Sequence, residues 1–196
     1  MNKRDFIRKT AFSSAAFMIA PYKDLFAGSR KPDLISRSEI GMNSSMNLVI
    51  GSDHAGFPLK NPLIKVLQSW NYMVKDVGSF TPDPVDFPDI ALLLAGEIKS
   101  GRADLGIMVC GTGIGAGIAC NKIQGIRAAV CHDTYSAHQC VEHDNANVLC
   151  FGAQIIGQSV AEEILYNFLH AKFSTAEEFR RRVEKVNGFD LVPPEK

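Results

Sequence analysis

The chain has 196 residues, 46% hydrophobic and 21% charged, with 21 Lys and Arg against 21 Asp and Glu. That length fits one domain with an appendage, and the composition excludes whole-chain disorder or a collagen-like repeat. Zero net charge and 9% aromatic content argue against a nucleic-acid binder working through a basic surface or a stacking platform, and no run of 18 apolar residues is present to span a membrane.

The charge is unevenly placed. Residues 1–30 hold six cations and two carboxylates, so a basic head precedes a mildly acidic body. Lys3 to Lys9 is followed by an apolar run from Ala11 to Ala20 that Pro21 ends, the pattern of a secretory signal. Lys3-Arg4-Asp5-Phe6-Ile7-Arg8-Lys9 resembles a twin-arginine export motif with Lys in the first Arg position. Phe26-Ala27-Gly28 offers a cleavage region, and a lipoprotein anchor is excluded because no Cys precedes Cys110. The expectation is an export signal over 1–28, a polar Ser-rich linker over 29–46, a folded body over 47–188 and a tail over 189–196. The protein would then be periplasmic or otherwise exported, and cytoplasmic if the signal does not function. The plainer alternative for the head is an amphipathic surface helix.

From Asn47 apolar runs alternate with helical periodicity. Leu48-Val49-Ile50 reads as a buried strand that exits through Gly51-Ser52-Asp53. Leu59 to Trp70 has helical spacing, with Pro58 and Pro62 in what reads as its first turn. Tyr72 to Val77 forms a second strand, 78–88 a turn-rich loop and Ile90 to Lys99 a second helix. Leu105 to Cys110 is a third strand opening into a glycine loop, Gly111 to Gly115, and a small-residue helix from Ala116 to Lys122. Arg127 to Cys131, Tyr135 to His143, Asn147 to Phe151, Ser159 to His170 and Thr175 to Val186 continue as strand, helix, strand, helix, helix. Such alternation predicts an α/β fold, a parallel sheet covered on both faces. Ligands of such sheets sit beyond the carboxyl ends of the strands, which singles out Asp53-His54, Cys110 to Gly115, Cys131-His132 and the loop after Phe151.

The glycine loop has two readings at this point. Gly111-Thr112-Gly113-Ile114-Gly115-Ala116 satisfies a dinucleotide fingerprint, with Asp133 22 positions beyond Gly111. It would equally gather backbone N–H groups around any anion at a helix N-terminus. A lone glycine loop is weak evidence. Here it follows the third strand rather than the first, with Cys110 at the strand end.

Gly51-Ser52-Asp53-His54-Ala55-Gly56-Phe57, Cys110-Gly111-Thr112-Gly113-Ile114-Gly115, Asn121-Lys122, Gly125-Ile126-Arg127-Ala128, and His143 with Asn147-Val148-Leu149 follow one another in order. Together these segments resemble the type B ribose-5-phosphate isomerase and galactose-6-phosphate isomerase family over residues 46–188. The resemblance implies a Rossmann-like three-layer α/β/α sandwich with five parallel strands. It also implies a homodimer or dimer of dimers whose sites are shared between subunits. The activity implied is interconversion of an aldose and a ketose phosphate, with no cofactor and no metal.

Such a reaction must open a sugar ring, remove a C–H proton beside the carbonyl, hold an enediolate and return the proton one carbon away. Cys110 is the expected base. Read alone it is a small core residue, but the positive end of a helix after the glycine loop would favour its thiolate. Thr112 and the amides of Gly111, Gly113, Ile114 and Gly115 would hold the enediolate oxygens. By resemblance His143 opens the ring as general acid and base. Asp53 would bond the sugar oxygens, although an Asp after a strand is often just a turn former. His54 would face the substrate or its phosphate. Asp144 and Asn145 stand in the reverse of the family's usual order. His132, His138 and His170 read as structural or solvated, and the five cysteines show no zinc spacing.

The family holds its phosphate with arginines, and here the pattern breaks. Gln154 stands after the fifth strand where an Arg is usual, Glu178 stands four residues before the retained Arg182, and Phe179 replaces a neighbouring His. The substrate is accordingly a pentose or hexose phosphate, or an unphosphorylated sugar. A sugar-binding protein without catalysis and a nucleotide-dependent oxidoreductase are the alternatives from other classes.

Overall fold

Strands form where the apolar runs lie and helices where the 3.6 period lies. In the computed structural model, which describes residues 46–189, the order is β1 Asn47–Ser52, α1 Phe57–Ser69, β2 Met73–Asp76, α2 Phe87–Lys99, β3 Leu105–Cys110, α3 Ile114–Asn121, β4 Ala128–Val130, α4 Thr134–Asp144, β5 Val148–Gly152, α5 Gln158–His170 and α6 Glu177–Gly188. The expected head over 1–28, all but the last residue of the linker over 29–46 and most of the tail over 189–196 lie outside the described residues. Among the described residues no helix is long and apolar enough to cross a membrane.

The strands pair in the order β2-β1-β3-β5-β4, every pair parallel. Chains that leave β1 and β3 therefore diverge at the β1/β3 boundary. β1, β3 and β5 are buried almost throughout, as strands covered on both faces must be. Period two splits their side chains between two cores. Leu48, Ile50, Ile107, Val109, Leu149 and Phe151 pack with α1, α4 and α5 on one face. Val49, Met108, Cys110, Val148 and Cys150 pack with α2 and α3 on the other. This is the expected three-layer α/β/α sandwich.

Element ends fall within a few residues of the sequence reading, and two of the differences concern prolines. α2 starts at Phe87 rather than Ile90, because Pro88 fits the first turn, where its missing N–H has no partner to lose. Pro62 stands inside α1, past the first turn, where α1 accommodates it at the loss of one backbone bond.

Candidate active site

The boundary between β1 and β3 is where the sheet order reverses, the usual ligand crevice of an open α/β sheet. Asp53 leaves β1 there and Cys110 ends β3. Their side chains meet, Cys110 Sγ donating to Asp53 Oδ2 at 3.0 Å. Asp53 is 5% exposed, and its other oxygen accepts the Gly56 N–H at 2.8 Å. Asp53 thus serves both readings the sequence offered. One oxygen closes the turn into α1, and that turn aims the other at the thiol. The turn lies so close to β3 that a Cβ on Gly56 would fall 2.2 Å from the Val109 carbonyl oxygen, so glycine is required by close approach.

The glycine loop closes over the other side of Cys110. Gly113 caps α3 in the left-handed region at φ 80°, and a Cβ there would meet the Phe151 backbone at 2.9 Å. Backbone N–H groups of Gly111 and Gly113 turn toward the Cys110 sulfur. Thr112 and Ile114 are exposed and Gly115 half-buried against the Phe87 ring. Thr112 Oγ1 accepts the Ile114 N–H at 3.4 Å. The loop after β5 binds back to this one: Ala153 N–H donates to Cys110 O at 2.8 Å and Gln154 N–H to Gly111 O at 3.0 Å. The Gln154 side chain carboxamide lies beside Gly111, so an uncharged amide occupies the position singled out from the sequence.

The expected thiolate is overturned. Burial, then the Asp53 carboxylate, push the Cys110 thiol above its ordinary value, and the Gly111 and Gly113 amides offset only part of this. A carboxylate 3.0 Å away opposes a second negative charge more than two amide dipoles favour it. Cys110 therefore rests as a thiol with its proton directed to Asp53.

His54 is exposed, and its Nδ1 accepts the Val85 N–H at 3.4 Å. Asp133, which a dinucleotide site would need for a ribose, is instead the cap of α4. It accepts the Ser136 N–H at 2.7 Å, and that bond holds its carboxyl below the usual range.

His143, Asp144, Asn145 and Arg182 do not join this cluster. β4 and β5 are parallel, so α4 returns from the carboxyl edge of the sheet to its amino edge. His143 in the last turn of α4 is therefore at the far edge, beside the start of β5. Gly106 pairs with Val148 and Cys110 with Gly152, so the two edges stand about 13 Å apart along the strands. There His143 stacks on Phe179 at 4.0 Å and 12°, and Arg182 lies 5.7 Å from the same ring. Arg180 sits over Phe173 instead, and Glu178 is exposed. Asn145 ends α4 in the left-handed region at φ 50°, which Asn tolerates well; its carbonyl accepts Arg127 Nε at 2.8 Å. Asp144, Arg127 and Arg182 line a cavity of about 470 Å³ at this edge.

Two features escaped the sequence reading, the burial of Lys60 and the contact between Cys131 and Cys140. Lys60 is wholly buried, its Nζ donating to both Asp76 oxygens at 2.6 Å. Its spacing to Leu63 and Leu67, on the apolar stripe of α1, was the available signal. His132 accepts the Gly152 N–H at 3.0 Å through Nε2, a structural role of the kind expected for it. Cys131 and Cys140 place their sulfurs 3.9 Å apart, which a spacing of nine residues across a strand end and a helix does not announce. His138 lies beside Glu142 at 3.3 Å, and His170 bonds Tyr166 O at 2.8 Å. Among the described residues no group of three His, Cys, Asp or Glu is placed to hold a metal ion.

Comparison with known proteins agrees with this geometry. Residues 48–186 match the family model described as Ribose/Galactose Isomerase. The D-erythrulose-4-phosphate isomerase of Pectobacterium atrosepticum is 41% identical over 148 residues, covering 74% of this chain and 95% of that protein. The ribose-5-P isomerase B of Listeria innocua is 43% identical over 129 residues, covering 66% and 87%. Among solved structures, the ribose-5-phosphate isomerase B of Clostridium thermocellum superposes with a TM-score of 0.73 at 40% identity, covering 74% of this chain and 98% of that one. The ribose-5-phosphate isomerase B of Mycoplasma genitalium, solved with ribulose-5-phosphate bound, gives 0.72 at 36% identity, covering 76% and 99%. With the motif residues gathered at the strand ends and the whole body matched, the chain belongs to the ribose/galactose isomerase family.

Proposed function

We propose that the protein interconverts an aldose and its ketose through an enediolate, with Cys110 moving the proton between adjacent carbons. The observation that carries this is the Cys110–Asp53 contact at 3.0 Å, beside the backbone N–H groups of Gly111 and Gly113. Asp53 accepts the thiol proton, and the thiolate removes the C–H proton beside the carbonyl. The enediolate charge falls on oxygens facing the Gly111–Gly115 amides and Thr112. Cys110 then returns its proton to the neighbouring carbon, the hydroxyl proton passes from one enediolate oxygen to the other, and the Asp53 proton restores the resting thiol. A sugar-binding protein without catalysis would leave this buried pair without a task.

His143 opens the ring from a second copy of the chain. Its place at the amino edge of the sheet, far from Cys110 of the same chain, supports this reading. So does an apolar groove of about 510 Å³ beside the glycine loop, lined by Phe87, Leu92, Ile118 and Ile123. A homodimer completes two such sites, each pairing one chain's Cys110 with the other's His143, Asp144, Asn145 and Arg182.

Relatives are named for phosphorylated sugars, which makes a pentose or tetrose phosphate the first substrate class to test. Gln154 beside the loop and exposed Glu178 favour a second reading, an unphosphorylated sugar. A charge-assisted hydrogen bond contributes about 1.5–3 kcal/mol. Two absent cations would weaken phosphate binding by roughly 10²–10⁴-fold. Paired free and phosphorylated aldoses followed by NMR decide between them. Turnover of neither sinks the isomerase reading, and a higher kcat/KM for ribose 5-phosphate than for every free sugar sinks the second.

The basic head is proposed to direct export, and small sugars outside the cytoplasm fit the second reading. Residues 1–35 fused to a reporter should carry it across the membrane, and substituting Lys3 and Arg4 together should stop it. A reporter retained in the cytoplasm would overturn this.

A further inference from the structure

Lys60 spends all three of its ammonium protons inside the protein. Nζ donates to Asp76 Oδ1 and Oδ2 at 2.6 Å and to Ser79 O at 2.7 Å, with the Phe57 and Phe80 rings 5.8 and 5.3 Å away. Lys60 is wholly buried and the Asp76 side chain 26% exposed, and an ion pair taken out of water is seldom more stabilising than two apolar side chains of similar volume. Core stability therefore does not account for a lysine here, and what it holds does.

It holds the start of the segment between β2 and α2. Asp76 also accepts the Gly78 N–H at 3.0 Å, and Gly78 and Ser79 exchange backbone bonds with Ser52, the residue before Asp53. From Ser79 the segment is knitted forward: Ser79 Oγ donates to Thr81 O at 2.6 Å and Thr81 Oγ1 to Asp83 Oδ2 at 2.9 Å. At its far end the Val85 N–H donates to His54 Nδ1 at 3.4 Å. A backbone N–H can only donate, so Nδ1 is the bare nitrogen and the neutral ring carries its proton on Nε2.

We infer that Lys60 is a positioning residue: by pinning Asp76 and Ser79 it holds the 77–86 segment so that Val85 fixes the ring and tautomer of His54, leaving Nε2–H as a donor to the substrate. The inference about His54 stands on these contacts alone, and its kinetic consequence rests on the isomerase reading above.

The test compares Lys60→Met, the doubly neutral Lys60→Met/Asp76→Leu and Val85→Pro in the full chain. The double variant removes both charges together, so unlike Lys60→Met it leaves no carboxylate without its cation. Nitrogen-15 NMR of the imidazoles at pH 8, assigned with His54→Gln, reads the tautomer. Ribose 5-phosphate is the kinetic probe. We expect a single Nε2–H tautomer for His54 in the parent protein and a mixture in the double variant and in Val85→Pro. KM should rise about tenfold with kcat within about twofold, the pattern of lost binding rather than lost chemistry. A merely structural lysine predicts that the double variant keeps the parent spectrum and KM; that result overturns the inference, as does an unchanged His54 spectrum in Val85→Pro. If the parent protein does not turn over ribose 5-phosphate, the choice of a phosphorylated substrate is at fault and the spectra alone decide the role of Lys60.

Discussion

The edge of the sheet that carries Asp53 and Cys110 is made by backbone, whereas the edge that carries His143 and Arg182 is made by side chains on two helix ends. At the first edge, three turns close on one another at distances that exclude a Cβ from Gly56 and Gly113. The reactive pair is 5% and 8% exposed. At the second, His143 and Arg182 gather around Phe179 on a helix that buries only Val183. The first arrangement is closely packed and shields its reactive pair from solvent, as proton transfer requires. The second is partly open, with Arg127, Asp144 and Arg182 lining a cavity. A protein can thus keep chemistry on its least forgiving backbone and leave substrate choice to side chains that change at low cost. Glu178 belongs to the second edge, whereas Gln154 stands at the first, beside Gly111.

The largest effect should come from separating the two edges. Cys110→Ala and His143→Gln should each lower kcat by about 10²–10⁴-fold with the fold intact. Mixed after subunit exchange, the two inactive variants should recover about a quarter of parent activity, because half the dimers then carry one unaltered site. Absence of recovery would place both residues in the same chain's site.

Gly113→Ala tests whether the backbone edge is as unforgiving as its contacts imply. A left-handed φ and a contact of 2.9 Å with the Phe151 backbone should lower stability by about 1–3 kcal/mol in denaturant unfolding. A change under about 0.5 kcal/mol would show the loop to be adjustable.

Next comes the charge balance at the thiol. Asp53 raises the Cys110 pKa, so Asp53→Asn should lower it and increase the thiolate fraction at pH 7. Alkylation by iodoacetamide should then quicken several-fold while isomerisation falls, and in the parent protein alkylation should rise with pH beyond the ordinary thiol value of about 8.5. Slower alkylation in Asp53→Asn would reverse the sign assigned to the carboxylate.

The smallest effect lies outside both clusters and serves as a control. Glu97 is held to about 2 by its hydrogen bonds from Arg102 and Lys75. A carboxyl lowered in the folded state stabilises above its unfolded value, and that contribution is lost as pH falls toward about 2. Thermal melting should therefore weaken between pH 4.5 and pH 2 in the parent and less in Glu97→Gln. Equal acid sensitivity would remove Glu97 from the account.

Much of this was legible in the residues themselves. Leu105 to Cys110 could be read as a strand to the residue because a strand buried on both faces is an unbroken apolar run. The glycine loop and the Asp53-His54 turn could be placed at strand ends, since glycine and aspartate mark turns by local sterics and hydrogen bonding. Tertiary structure alone decided the rest, because it depends on which distant segments meet. The order β2-β1-β3-β5-β4 brought Asp53 to Cys110 and raised a thiol that its helix N-terminus alone would have lowered. The direction of α4 carried His143 to the opposite edge, although it lies nearer Cys110 in sequence than Asp53 does. Lys60 shares the apolar stripe of α1 with Leu63 and Leu67, and it is a buried anchor because β2 presents Asp76 and the following turn the Ser79 carbonyl. Local pattern specifies which way each segment folds; the field around a titratable group is set by neighbours that only the assembled sheet supplies.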